Sequence, residues 1–172
     1  FDEYLGETKV KYRKEALERK ADCIFIAKDY KAASDAYGAV LDEYFDADDI
    51  YPYYQCAIAS GLDRNIDRKI SLLSNVMSAS PSSKFYPEAL FELGRTYVVL
   101  EDDDNAFRCF NRIAEVVKDS TFVAKAYIEM GSLARNQSQF NDALGYYKAV
   151  VEKMPISGYS EDALAAIESI YQ

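Results

Sequence analysis

Three cysteines, Cys23, Cys56 and Cys109, are the soft nucleophiles of this 172-residue chain, and no histidine accompanies them. A thiol becomes a nucleophile when a neighbouring base or cation holds it as thiolate. A zinc site needs several soft ligands at short spacing. Neither pattern is written here: no C-x-x-C occurs, and Cys–His and Ser–His pairs are impossible. Each cysteine sits in an apolar helical context, so all three are expected to be reduced, mostly buried small hydrophobes. Carboxylates are the other candidates, as the sets Glu101, Asp102, Asp103, Asp104 and Asp46, Asp48, Asp49. Neither set has the glycine and distal glutamate of a calcium loop. They are expected to be solvated turns and helix caps. No glycine-rich phosphate loop occurs. The residues imply no enzyme, no metal site and no cofactor.

Composition narrows the partners. The formal net charge is −9. Such a surface repels phosphate backbones and anionic lipid, which argues against nucleic acid as partner. Basic or neutral peptides remain compatible. Hydrophobic residues make up 49% of the chain, enough to bury a core. No apolar run approaches the ~18 residues of a membrane helix, so this segment is not expected to insert. The chain starts with Phe inside "FDEYL", which reads as the end of a helix. The expectation is a piece of a longer protein, with 1–13 the tail of a preceding repeat.

The elements that position these residues are written three times over. "SPSSKFYPEALFELGRTY" (80–97) returns as "VKDSTFVAKAYIEMGSLA" (117–134) and as "KMPISGYSEDALAAIESIY" (153–171). The anchors Leu93-Gly94, Met130-Gly131 and Ile167-Glu168 stand 37 residues apart. The same step backward reaches Cys56-Ala57, and a further step of 36 reaches Lys20-Ala21. A fixed period of this size signals a repeat array. Units are expected at 14–49, 50–86, 87–123 and 124–160, followed by an unpaired first helix at 161–172.

Each unit reads as two helices. Leu90, Leu93 and Tyr97 share one helical face; after a polar break at 101–103, Ala106, Phe107, Phe110 and Ile113 form a second stripe. The fourth unit repeats this with Tyr127, Met130 and Ala134, a break at 136–139, then Phe140, Ala143, Tyr147 and Val150. Gly94 and Gly131 fall inside first helices, where Gly costs roughly 1 kcal/mol against Ala. Together with Ala33, Ala106 and Ala143, they mark close helix approaches. Tyr37, Phe110 and Tyr147, four residues after those alanines, are expected to fill the space between neighbouring pairs. Ser83, Ser120 and Ser157 are expected helix caps, with Asp46 or Asp48 one unit earlier. Phe85, Phe122 and Tyr159, two residues after each Ser, are expected pegs seating each unit on its predecessor.

The units resemble the tetratricopeptide repeat (TPR). Leu90, Leu93, Gly94, Tyr97, Ala106 and Phe110 match its spacing, and Tyr127, Met130, Gly131, Ala143, Tyr147 and Pro155 match it again. The period exceeds the usual length of about 34, with the extra residues in a P-x-S-x-aromatic joint. That joint resembles bacterial envelope members of the family: the Tol–Pal-associated periplasmic coordinator and the lipoprotein of the β-barrel assembly machine. Lys69 and Asp103 depart from the pattern. The resemblance implies an all-α, right-handed superhelical solenoid of antiparallel helix pairs, and a periplasmic or outer-membrane-associated location.

It also implies a non-enzymatic scaffold that binds a protein or peptide on its concave face. The groove positions carried over are Glu18 and Asp22, Tyr54 and Ile58, Phe91 and Arg95, Ile128 and Ser132. The peptide-binding set is expected to be Tyr54, Ile58, Phe91, Arg95, Ile128 and Ser132. A carboxylate clamp of Lys and Asn is largely absent, because Arg95 alone is basic there. The alternative is a structural or self-assembling spacer in a longer array, and a third reading is a regulatory domain attached to an enzyme elsewhere in the parent. Against a groove, the rings would be covered by a neighbouring helix or by missing ends of the chain. Exposed ends would add weak self-association.

Overall fold

The apolar stripes become helices in a computed structural model that describes residues 2–172. Their order is α1 (Asp2–Ile26), α2 (Tyr30–Tyr44), α3 (Ile50–Leu62), α4 (Ile66–Leu73), α5 (Tyr86–Val99), α6 (Asp103–Val116), α7 (Ser120–Asn136), α8 (Phe140–Lys153) and α9 (Gly158–Tyr171). No strand occurs among the described residues. The fold is all-α, built of paired antiparallel helices of the TPR kind. Two compact units divide it, Phe1–Ala89 and Leu90–Gln172.

In the first unit, α1 packs on α2, α2 on α3 and α3 on α4. Ala21, Ala33, Tyr37, Cys56 and Ala59 form one buried cluster. No turn separates residues 2–13 from 14–26: α1 runs through both, and Phe1 lies outside the described residues. α4 is short and gives way to a 3-10 turn at Ser74–Ser78. Its polar side chains take main-chain acceptors: Ser74 Oγ donates to Ile70 O at 2.7 Å and Asn75 Nδ2 to Leu72 O at 2.8 Å. Such local bonds compete with the α-ladder. Leu73 and Val76 stay buried regardless.

The departure at Lys69 is absorbed by a glycine. A Cβ on Gly61 would lie 2.8 Å from Lys69 Cδ, so the missing side chain on α3 makes room for the lysine stem. Gly38 does the same for Arg68, whose Nη2 would be 2.6 Å from a Cβ there. Arg68 thereby reaches α2, donating to Ser34 O at 3.3 Å.

In the second unit, α6 packs on α7, α7 on α8 and α8 on α9. The mid-helix glycines lie at close crossings. A Cβ on Gly94 would stand 2.7 Å from the Phe110 ring, and one on Gly131 would stand 2.6 Å from the Tyr147 ring. Both rings are fully buried, as are Ala106 and Ala143. Ala163 joins the buried cluster of Ala143, Tyr147 and Val150, with Ile167 packed against it. Phe140 departs from its expected place in the stripe: at the first position of α8 it is 48% exposed.

The caps differ from expectation in identity. Ser157 does cap α9, accepting from Ser160 N–H at 3.1 Å. For α7 the cap is Asp119, one residue before Ser120, accepting from Thr121 N–H at 2.8 Å. Asp49, rather than Asp46 or Asp48, holds the N-cap position of α3, with no side-chain cap bond. Ser83 spends its hydroxyl on Asp48 Oδ1 at 3.1 Å.

The turn inside each helix pair is closed by a left-handed residue that is not glycine. Lys28, Arg64, Glu101 and Ser138 have φ of 64°, 65°, 58° and 60°. In the last three the next residue's N–H reaches back into the helix: Asn65 to Ser60 O at 2.8 Å, Asp102 to Tyr97 O at 3.0 Å and Gln139 to Ala134 O at 2.8 Å. This is the Schellman closure, in which a left-handed residue lets orphan carbonyls find donors. A side chain in that conformation costs about 1–2 kcal/mol. Glu101 is exposed. Glu101→Gly is therefore expected to raise stability by about 0.5–1 kcal/mol after the added freedom of the unfolded chain is counted. A urea-unfolding midpoint that falls would contradict this reading of the turn.

Candidate functional site

Groove positions on the first helices are the candidate surface, and the two units present them separately. In the first unit, Tyr54 and Ile58 are half-buried on α3. Tyr54 stacks on Phe85, with centroids 6.3 Å apart and planes 15° apart, while Tyr51 meets the same ring at 5.5 Å. Phe85 is thus a peg as expected. Its backbone is left-handed, φ 66°, just before α5.

The N-terminal part of this surface is charged and internally paired. Asp22 Oδ1 accepts from the Tyr37 and Tyr51 hydroxyls, and Oδ2 pairs with Arg19 at 2.7 Å. Lys14 pairs with Asp49 and lies 3.9 Å from Glu18. Burial pushes the Glu18 carboxyl up, with Lys14 opposing it.

In the second unit, Phe91 lies half-buried on α5 between two rings. Phe110 is 5.4 Å away on α6 and Phe122 is 6.3 Å away on α7. Lys125 Nζ sits 5.2 Å from the Phe122 centroid and 6.0 Å from that of Phe91. Phe91 and Phe122 meet one period after Tyr54 and Phe85, edge to face with planes 71° apart where the earlier pair stacks. Arg95, one turn along α5, is exposed. On α7, Ile128 is half-buried and packs against the cluster around Tyr147. Ser132 Oγ lies 3.3 Å from the Tyr147 hydroxyl. Glu129, beside Ile128, has its carboxyl raised by burial, while Arg95 pulls it the other way. Each unit therefore carries apolar first-helix residues flanked by charge, and the rings among them serve the joint. The joint role of Tyr54 and Phe91 was not read from the sequence, because ring type and spacing suit a joint and a groove equally.

The sequence candidates for chemistry disperse. Cys23 is exposed, contrary to expectation: Ala21, Ile24 and Phe25 of α1 pack in the cluster with α2, and Cys23 falls outside it. Cys56 and Cys109 are buried. Cys56 Sγ donates to Ser34 O at 3.3 Å, and Arg68 Nη2 lies 3.8 Å from it. Burial still raises that thiol above its ordinary value, with Arg68 opposing. Burial pushes Cys109 up to about 12. The acidic sets serve turns and caps only in part: Asp102 caps α6, whereas Asp103, Asp48 and Asp49 take partners distant in sequence. Asp102 accepts from Asn105 N–H at 3.2 Å, Asp103 from Gln137 Nε2 at 3.0 Å and Asp46 from Asp48 N–H at 2.9 Å. No cluster of three or more His, Cys, Asp or Glu that could hold a metal occurs among the described residues. No described helix is long and apolar enough to cross a membrane.

Native alkylation at neutral pH should modify one thiol quickly, Cys23, and all three after denaturation. Fast native modification of Cys109 would contradict its burial.

No protein-family model matches the sequence, and no curated protein matches it. Solved structures do. A crystal structure of the MamA protein aligns with a TM-score of 0.68 at 17% identity, covering 86% of this chain and 76% of that one. The Podosopora anserina putative kinesin light chain, with nearly identical TPR-like repeats, aligns with a TM-score of 0.69 at 12% identity, covering 93% and 86%. YrrB, described as a TPR protein with an unusual peptide-binding site, aligns with a TM-score of 0.66 at 17% identity, covering 96% and 81%. At these identities the likeness is one of fold, and the fold is the helical repeat of TPR proteins.

Proposed function

We propose that this chain is a non-enzymatic scaffold that binds a peptide or protein segment along its first-helix faces. Tyr54 and Ile58 in the first unit, and Phe91, Arg95, Ile128 and Ser132 in the second, supply the contacts. The observation that carries the reading is the pairing of half-buried apolar side chains with flanking charge: Phe91 and Ile128 beside Arg95 and Glu129. Half-buried rings and an exposed arginine are the side chains that dominate binding energy when a partner desolvates them. The fold likeness to a TPR protein with a peptide-binding site supports the same reading. An envelope location belongs to this proposal as well and rests on the P-x-S-x-aromatic joint.

A second reading has its own observation. Tyr54 and Phe91 are already engaged by Phe85 and Phe122, as they would be in a structural or self-assembling spacer.

Selection of a random peptide library on the immobilised chain separates the two. Binders should emerge and compete with one another. Arg95→Glu and Ile58→Asp should weaken the binders that contact them by about tenfold, or 1.4 kcal/mol, with helical content unchanged. A library that yields no binder, or binders indifferent to both substitutions, would favour the spacer.

A further inference from the structure

Within the second unit, a cavity of 510 Å³ opens between the starts of α6 and α8 and the end of α7. That volume falls in the range of ligand pockets, about 300–1,000 Å³. Phe107 and Tyr146 line it, meeting edge to face at 6.1 Å. Asp103, Asp104 and Asp142 stand around them, with Arg108 the one cation of the lining. None of the six groove residues contributes to it.

We propose that this cavity receives a lysine or arginine side chain from a basic segment of a partner protein. Charge comes first. Three carboxylates face one guanidinium. The two helix starts, each worth about half a positive charge, offset part of the remainder. The balance stays negative, so a phosphate or carboxylate ligand is repelled and a cation is drawn in. The rings come second. Elsewhere the chain supplies its own cation to half-exposed rings: Arg19 over Tyr51, Lys84 over Phe85, Lys125 over Phe91 and Phe122, and Lys153 over Tyr127. Among the described residues, no Lys or Arg is stacked over Phe107 or Tyr146.

The repeat gives a third reason. One period away, the counterpart of Phe107 is Leu144 and that of Tyr146 is Cys109. Packing of the helix pair therefore does not demand rings here. A long basic side chain fits the arrangement: its methylene stem lies along apolar wall while its charged head reaches the carboxylates. The ring faces add cation–π attraction.

The test uses Nα-acetyl-arginine amide and its neutral citrulline counterpart, titrated into the full 172-residue chain. Shifts are followed at the Gln137 and Gln139 amides and the Phe107 and Tyr146 ring protons. The arginine probe should give saturable shifts at millimolar concentration, and the citrulline probe none. The double variant Asp104→Asn/Asp142→Asn changes two exposed residues. It should keep the fold and weaken the arginine probe by about tenfold, as should raised salt. Equal response to both probes, no response to either, or an unchanged response in the double variant would overturn the proposal. Peptides selected on the first-helix faces should bind that double variant as before, so the two sites fail independently.

Discussion

In the second unit, the crossing of the two helices in a pair is set by a ring lying against a residue with no side chain. Tyr147 of α8 occupies the space a Cβ of Gly131 would need, and Phe110 of α6 does the same at Gly94. A buried ring cannot give way as the tip of a flexible chain can, so the glycine fixes how closely the axes approach. Interiors packed this tightly transmit such a constraint to their neighbours. The placement of neighbouring first-helix residues follows from it. Ser132 touches the Tyr147 hydroxyl, and Phe91 touches Phe110. The first unit solves the same problem with methyl groups. Ala21 and Tyr37 share a cluster, and the Tyr37 hydroxyl is held by Asp22.

The joints add a second use of aromatic residues. Phe85 on Tyr54 and Phe122 on Phe91 pair equivalent positions one period apart, stacked in the first and edge to face in the second. Each ring is half-buried and held in one place by it. Rings held this way lose little further freedom on binding, which favours affinity. The charges nearby are arranged differently in the two units. Asp22, Arg19, Lys14 and Asp49 are tied to one another in the first, whereas Arg95 is exposed in the second.

Much of this was legible because a repeat reports the same physics several times. The helix stripes, the close crossings at Gly94 and Gly131, and the Phe85 and Phe122 pegs all follow from residue type at fixed spacing. What escaped depends on choices that spacing does not encode. Four left-handed turn residues carry side chains, so no glycine announces them. Asp119 rather than Ser120 caps α7, because either oxygen can accept the first-turn N–H and the backbone decides which is placed to do so. Cys23 looked like its two counterparts in composition, but it lies on a face of α1 that nothing covers. The cavity beside Phe107 and Tyr146 was invisible for a related reason: its lining comes from three helices, and no single stretch shows it.

The ring-against-glycine crossing is tested most directly by a double-mutant cycle of Gly131→Ala and Tyr147→Leu, read from urea-unfolding free energies. Ala57 and Leu73 already occupy the corresponding positions in the second repeat, both fully buried. Gly131→Ala alone should cost about 1–3 kcal/mol by overpacking. In the Tyr147→Leu background the same change should cost much less, giving a coupling of about 1–2 kcal/mol. Equal costs in both backgrounds would mean that Tyr147 does not set the crossing, and that the spacing of the helix pair has another origin.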